Sequence, residues 1–285
     1  MKPAPFAYER AESVEHVLGL LGEHGDQASV LAGGQSLVPM MNMRQVRPAL
    51  VVDITRIGGL GAIEPDDGEL RVGALVTQFA LERHDGLEPA VAECLPYTGH
   101  YVTRHRGTVG GSVAHGEPRA ELPLLLLTLG GSARVRSVRG ARDVPAEELY
   151  VGAYQTSLAA DELLVHTSWP VAVPGEGRAF AELAQRHGDY TLACAACHLR
   201  IADGRILAAR VGVGATADRP LLVPEAAREL EGSSVGEAAA RAAGAAAEAA
   251  IEGYDDLHAS AAYRRRLAGV LVARAARQAM ERARG

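Results

Sequence analysis

Cysteine, aromatic residues and long apolar runs are scarce in this chain of 285 residues. Its three cysteines cannot supply the four thiolates that usually hold an iron–sulfur cluster, and they do not form the even set of a secreted disulfide framework. The longest aliphatic stretch, 122–129, is far shorter than the about 20 residues that span a bilayer. No long basic run occurs and the net charge is −6, so no nucleic-acid partner is expected.

The composition is that of an ordinary globular protein. Hydrophobic residues make up 48% and charged residues 22% of the chain, which is too apolar for a disordered segment. At about 150 residues per domain, the length predicts two domains. The N-terminal sequence MKPAPFAYERAES has no apolar core and no cleavage-like pattern, so we predict no signal peptide and expect a cytoplasmic location.

Two of the cysteines form a Cys-x-x-Cys pair, at Cys194 and Cys197. The pair lies in an apolar, strand-like run, where side chains three residues apart point to opposite faces. We therefore expect two small buried thiols. A redox pair or half of a zinc site is the alternative.

The order of predicted elements indicates an α+β protein in three parts. Residues 1–58 alternate strands with helices, and Ser13 is a predicted N-cap. Residues 59–174 contain two predicted hairpins and a buried helix at Glu121–Leu129. After a linker at Val173–Gly177, residues 178–285 contain three strands and then two alanine-rich helices. The arginines of the last helix, including Arg264, are expected to form a solvated face.

Two glycine-rich loops are candidate anion sites. Ala32-Gly33-Gly34-Gln35-Ser36 follows a predicted strand, and Thr108-Val109-Gly110-Gly111-Ser112 repeats the pattern. Glycines let several backbone N–H groups point into one concavity, which binds phosphate oxygens. Two such nests, each with a hydroxyl, fit a diphosphate better than a single phosphate. A tight turn without ligand is the alternative for the first loop.

A carboxylate, Glu121, follows the second loop and Pro118. Near a nucleotide, such a side chain usually accepts a hydrogen bond from a ribose or ribityl hydroxyl. The alternative is a solvated acid at a helix N-terminus, where the helix dipole favours it.

Both loops carry a family resemblance. The segments AGGQSLVPMMNMR (32–44) and RHRGTVGGSVAHGEPRAELP (104–123) resemble the FAD-binding medium subunit of the molybdenum hydroxylases, the xanthine dehydrogenase and carbon monoxide dehydrogenase group. Three further segments agree in order and spacing: RHGDYTLA (186–193), GVGATADRP (212–220) and DLHASAAYRRRLAGVL (256–271). Five co-linear motifs cover nearly the whole chain.

The resemblance implies a fold and a site. The expected fold is a two-part PCMH-type FAD-binding domain, formed by 1–58 and 59–174, followed by a C-terminal domain (178–285) of a three-stranded antiparallel sheet with helices. The implied cofactor is FAD. The implied cofactor-binding residues are Ala32, Gly33, Gly34, Gln35, Ser36, Leu37, Thr108, Gly110, Gly111, Ser112, His115, Glu121, Leu164 and Tyr190.

The implied roles differ along the cofactor. Both loops would hold the pyrophosphate, and Glu121 matches an adenosine-side or ribityl-side acid. Leu164 matches an apolar residue against the adenine or flavin, and Tyr190 matches an aromatic residue that covers one isoalloxazine face. A half-buried strand tyrosine is the alternative for Tyr190. The chain departs from the family pattern at His105 and in the run 114–118, AHGEP in place of an AHADP-like run.

No catalytic side chain or metal ligand is assigned. His100 and His105 do not form an H-E-x-x-H motif, and no G-x-S-x-G elbow occurs in the sequence. The chain has no cysteine-rich insert, which argues against an iron–sulfur cluster bound by this chain itself.

The resemblance implies an electron-transfer flavoprotein, an FAD-dependent oxidoreductase subunit. It would take electrons from the [2Fe–2S] clusters of a small partner and work beside a large molybdopterin-binding subunit. It would pass the electrons to an external acceptor, such as NAD or a quinone. The first alternative is a self-sufficient FAD-dependent oxidoreductase, which an open pocket over the flavin would favour. The second is a non-redox nucleotide-binding module, which a colourless protein would favour.

Overall fold

The computed structural model describes residues 1–284, and its first part is a small parallel sheet with two helices. Its elements are β1 (Ala7–Arg10), α1 (Val14–His24), β2 (Ala28–Leu31), α2 (Leu37–Asn42) and β3 (Leu50–Asp53). The buried strand β3 lies between β1 and β2. The hydroxyl of Ser13 accepts the amide of His16 at 3.1 Å, so the predicted N-cap of α1 is confirmed. Because β2 and β3 run parallel, their C-terminal ends lie at the same edge of the sheet, beside the segment 32–36 that follows β2.

The second part is built on a five-stranded antiparallel sheet. Its elements are β4 (Ile63–Asp66), β5 (Glu69–Gly73), α3 (Gln78–Glu82), α4 (Pro89–Cys94), α5 (Tyr101–Arg104), α6 (Val109–His115), α7 (Glu121–Leu129), β6 (Ser132–Ser137), β7 (Gly140–Pro145), α8 (Ala146–Leu149), β8 (Tyr150–Gly152), β9 (Gln155–Thr156) and β10 (Leu163–Pro170). The strand order is β4-β5-β10-β6-β7, with both predicted hairpins at the edges. Helix α7 has the predicted bounds and is buried along its whole length.

The second glycine loop differs from its prediction. Thr108 is the N-cap of α6, so the residues after it form the first turn of a helix and not an open loop. Glycine is needed here for close packing, because a Cβ on Gly110 would lie 2.6 Å from the Cα of Ala74. The glycine pattern therefore marks a helix start that is pressed against its neighbour.

The C-terminal part pairs a sheet with helices. Its elements are β11 (Glu176–Ala184), β12 (Thr191–Ala202), β13 (Arg205–Gly214), β14 (Leu221–Leu222), α9 (Pro224–Leu230), α10 (Glu237–Ala250) and α11 (Ala261–Arg282). The three predicted antiparallel strands are present, and the two-residue β14 adds a fourth at the edge. Helix α9 was not predicted from the sequence.

The C-terminal sheet has two buried faces. Cys194 belongs to the core around α7, and Cys197 belongs to the core under α10 and α11. Both thiols are fully buried and free, so the expectation of small buried cysteines on opposite faces is confirmed. The core around α7 also joins the second part of the chain to the C-terminal sheet.

Arg264 contradicts the expected solvated face of the last helix. Its residue is only 1% exposed, and its guanidinium donates to the carbonyl oxygens of Leu192 at 2.7 Å and Ala215 at 3.1 Å. It also donates to Asp256 at 2.6 Å. Burial opposes ionisation of Asp256, but amide and guanidinium hydrogen bonds lower its pKa to about 2. A charge pattern on a helix cannot reveal carbonyl acceptors that lie elsewhere in the chain.

Candidate functional site

One cleft of about 670 Å³ contains all the residues that were predicted to bind the cofactor. This volume lies within the usual range of cofactor and small-molecule sites. These residues are Ala32, Gly33, Gly34, Gln35, Ser36, Leu37, Thr108, Gly110, Gly111, Ser112, His115, Glu121, Leu164 and Tyr190. They come from every part of the chain.

Other residues of the cleft were missed by the sequence analysis. They include Gln78, Thr98, His100, Glu117, Arg119, Tyr154 and Asp189. Glu117 and Arg119 lie inside the second family-like segment, 104–123, and this position could have indicated that they line the cofactor site. Tyr154 lies in no glycine-rich or family-like segment, and only the fold brings it to Glu117.

The first loop offers unpaired hydrogen-bond donors. Among the described residues, the backbone amides of 33–36 donate to no protein acceptor, and the Ser36 hydroxyl makes no capping bond to α2. Gly34 has a φ of 70°, a conformation that side chains rarely adopt. Free amides beside the start of a helix form an anion site.

The two loops are in direct contact. A Cβ on Gly33 would lie 2.2 Å from the carbonyl oxygen of Arg106 and 2.8 Å from the Cα of Gly107. A Cβ on Gly111 would lie 3.9 Å from that of Ala32. The loops therefore form one continuous wall of the cleft, and glycine at position 33 permits that contact.

The second loop presents hydroxyl groups to the cleft. The amides of residues 109–112 all donate within the protein, to oxygens of Val76, Ala74 and Thr108. The prediction of free amides is therefore wrong for residues 109–112, whose amides dock α6 or form its first turn, whereas the Thr108 amide donates to no acceptor among the described residues. The Thr108 hydroxyl accepts one of these amides at 3.0 Å and keeps its own proton, while Ser112 also lines the cleft. An anion here would meet amides from the first loop and hydroxyls from the second.

Glu121 starts α7 at the deep side of the cleft. The residue is only 6% exposed, so the alternative of a solvated helix-terminal acid is wrong. Burial raises the pKa of Glu121 to about 7. Near neutral pH this carboxyl can therefore hold or release a proton.

A second buried carboxyl, Glu182, lies close to Glu121. It comes from β11 and is also 6% exposed, and neither of its carboxyl oxygens has a hydrogen-bond partner among the described residues. Burial, followed by the like charge of Glu121, raises the pKa of Glu182 to about 9. At neutral pH Glu182 is therefore a neutral acid. No sequence pattern indicates this pair, because the two residues are brought together only by the packing of the C-terminal sheet against α7.

Aromatic and imidazole rings also line the cleft. Leu164 is buried on β10, and His115 ends α6 with its ring 5.2 Å from that of Tyr154. Burial lowers the pKa of His115, so its imidazole is neutral at pH 7. Tyr190 lies in the turn before β12 and is 60% exposed, so the alternative of a half-buried strand tyrosine is wrong. His105 stacks on Phe79 at 3.7 Å and is not part of the cleft lining.

The described residues contain neither a metal-binding cluster nor a membrane-spanning helix. No cluster of three or more histidine, cysteine or acidic side chains there could hold a metal ion. No helix within residues 1–284 is long and apolar enough to cross a membrane.

Two protein families match this chain in succession. The family described as the FAD binding domain in molybdopterin dehydrogenase matches residues 4–172. The family described as the CO dehydrogenase flavoprotein C-terminal domain matches residues 178–279. The fold is thus that of an FAD-binding subunit. The chain belongs to the FAD-binding medium subunits of the molybdenum hydroxylases, which confirms the resemblance.

Curated relatives and solved structures agree with this assignment. The 6-hydroxypseudooxynicotine dehydrogenase complex subunit alpha of Paenarthrobacter nicotinovorans is 38% identical, covering 100% of this chain and 97% of that protein. The carbon monoxide dehydrogenase medium chain of Afipia carboxidovorans is 36% identical over 99% of both chains. A structure of carbon monoxide dehydrogenase from Hydrogenophaga pseudoflava matches with a TM-score of 0.96 at 32% identity, covering 99% of each chain. The chain is therefore an oxidoreductase component, its cofactor is FAD, and the predicted α+β fold is confirmed.

Proposed function

We propose that this chain carries electrons in a molybdenum hydroxylase-type dehydrogenase, from the [2Fe–2S] clusters of a partner to an external acceptor. The observation that carries the proposal is the convergence in one cleft of all fourteen predicted cofactor residues. Bound FAD supplies the redox chemistry, since it accepts electrons and passes them on. The protein supplies binding, orientation and access.

The proposed binding roles follow from the donors and acceptors of the cleft. The free amides of 33–36 and the hydroxyls of Thr108 and Ser112 donate to the pyrophosphate. Glu121, when ionised, accepts from a ribose or ribityl hydroxyl. Leu164 gives apolar contact, and Tyr190 lies beside the isoalloxazine. Residues 1–58 and 59–174 are proposed to hold the cofactor as one domain, with 178–285 as the second.

The proposed partners are a large molybdopterin-binding subunit and a small [2Fe–2S] subunit. The names of the relatives support this, since one is a dehydrogenase complex subunit and another a medium chain. The external acceptor is proposed to be NAD or a quinone.

Purification of the native complex tests the proposal. We expect the chain to carry a flavin absorption spectrum and to co-purify with iron and molybdenum. A flavin-loaded chain that lacks metal partners and turns over a small molecule by itself would instead support a self-sufficient oxidoreductase. A chain that cannot be loaded with FAD would contradict both.

The Thr108→Val variant tests the role of the second loop. The hydroxyl of Thr108 caps α6 and is proposed to donate to the cofactor, so its loss should cost about 1 kcal/mol of stability and weaken FAD binding by about tenfold. Urea unfolding and FAD titration of the apoprotein measure the two effects. Thr77→Val is the matched control, because Thr77 caps α3 in the same way at 3.1 Å but does not line the cleft. Equal loss of FAD affinity in both variants would contradict the role of Thr108.

A further inference from the structure

A buried acid anchors the chain segment between α6 and α7. Glu117 is 5% exposed and accepts four hydrogen bonds. Three come from Arg119, from Nε at 2.8 Å, the backbone amide at 3.3 Å and Nη2 at 3.4 Å, and the fourth comes from the Tyr154 hydroxyl at 2.7 Å. Burial opposes ionisation of Glu117, but these bonds hold its pKa below the ordinary value. Glu117 is therefore a fixed anion at neutral pH.

This anion limits the movement of Arg119. The Arg119 guanidinium also donates to the second carboxyl oxygen of Glu117, at 3.4 Å, so the ion pair between Arg119 and Glu117 is bidentate. Such a pair fixes both the position and the plane of the guanidinium. An arginine with two donors on a buried carboxylate has few alternative rotamers.

The fixed guanidinium lies over a tyrosine ring. The Cζ of Arg119 is 4.1 Å from the centre of the Tyr190 ring, which is a cation–π contact. Tyr190 is 60% exposed and lines the same cleft. In a partly desolvated site a cation–π contact shifts a conformational equilibrium about tenfold. Without Arg119, a tyrosine this exposed would leave its position far more often.

We propose that Arg119 is a positioning residue that holds Tyr190 over the open end of the cleft and so limits the access of small oxidants to the bound flavin. The inference rests on the proposed function, in which Tyr190 lies beside the isoalloxazine. Arg119 itself acts through Tyr190. Glu117 fixes the guanidinium of Arg119, and the guanidinium holds the Tyr190 ring.

The test measures how fast dioxygen oxidises the reduced flavin. The FAD-loaded protein is reduced with a stoichiometric amount of dithionite and mixed with dioxygen, which takes two electrons and two protons and leaves as hydrogen peroxide. In Arg119→Met, with a side chain of similar length but no charge, we expect the reaction to be about tenfold faster. Flavin fluorescence should rise, because a nearby tyrosine quenches it. FAD affinity should stay within about threefold.

Three further variants separate positioning from a merely structural effect. Arg119→Lys keeps the charge but loses the bidentate ion pair with Glu117. Its rate of flavin oxidation by dioxygen should therefore lie between those of the wild type and Arg119→Met. In a Tyr190→Leu background, Arg119→Met should add nothing to the rate. If the unpaired Glu117 prevents folding of Arg119→Met, the Glu117→Gln, Arg119→Met double variant replaces it.

Two results would overturn the proposal. One is a wild-type rate and fluorescence in Arg119→Met. The other is an equal effect of Arg119→Met with and without Tyr190. Failure of the proposed function gives a different result, namely a wild-type protein that holds FAD but passes no electrons from its partner subunits. A wild-type protein that holds no FAD would overturn both.

Discussion

Gly33→Ala should weaken FAD binding by at least about 100-fold, or about 2.7 kcal/mol. The added Cβ would lie 2.2 Å from the carbonyl oxygen of Arg106, a distance that real Cβ atoms essentially never show. Because the close atoms are backbone, the two loops must separate. The free amides of 33–36 would then move away from the hydroxyls of the second loop, and one anion could no longer meet both sets. Titration of the apoprotein with FAD, followed by fluorescence, measures the loss.

Gly61→Ala is the control for this variant. Gly61 also lies in an irregular segment, but an added Cβ there has nothing within 4 Å. Its φ is not left-handed, so the substitution should leave both FAD affinity and stability near wild type. Wild-type affinity in Gly33→Ala would show that the contact between the loops is not needed for binding. Equal losses in both variants would show a general effect of added bulk.

Local sequence signals predicted the elements whose cause is local. Helix α7 has its predicted bounds because an acid at its start and a continuous apolar run define it. Ser13 is an N-cap because its hydroxyl reaches the amide three residues along the chain. The two glycine-rich segments could likewise be found from residue types alone.

Features that depend on distant partners were not predictable in this way. The amides of Val109 and Gly110 are paired because Val76 and Ala74 lie beside the second loop, and no local pattern shows that. Arg264 is buried because it meets carbonyl oxygens from β12 and from the segment after β13. At the site, the family resemblance identified two residues that local patterns do not indicate. Leu164 and Tyr190 were assigned to the cofactor site because they match family positions, and no composition or spacing argument places them beside the glycine loops.

The buried pair Glu121 and Glu182 should make the apoprotein less stable as the pH rises. The fold raises the pKa of Glu182 to about 9 and that of Glu121 to about 7, both from an ordinary value of 4.5. Above that ordinary value the unfolded chain loses these protons while the folded chain keeps them, so the free energy of unfolding falls with pH. The contribution of each group is fully present below about pH 4.5 and is lost as the pH rises through its folded-state pKa. The decline should therefore extend to about pH 9.

Glu182→Gln should remove most of this decline, since glutamine has nearly the same shape and does not ionise. At pH 9 the variant should be more stable than the wild type by about 2 kcal/mol, with a much smaller difference at pH 5. Urea unfolding of the apoprotein between pH 5 and 9 measures the difference. Glu9→Gln, at an exposed glutamate of β1, is the control and should show no such trend.

A difference between Glu182→Gln and wild type that is equal at pH 5 and pH 9 would contradict this account. It would mean that the variant acts through packing, since packing does not titrate in this range. A difference that grows with pH identifies Glu182 as the group that holds the proton. Its neighbours Cys94 and Cys194, whose thiol pKa values burial raises well above the ordinary value, cannot produce the trend, because both are present in the wild type and in the variant and their contribution cancels in the difference. The protonation of Glu182, which lies outside the cleft, would then be coupled to that of Glu121, which lines the cleft. Through this pair, pH would control the charge that the cleft presents to its cofactor.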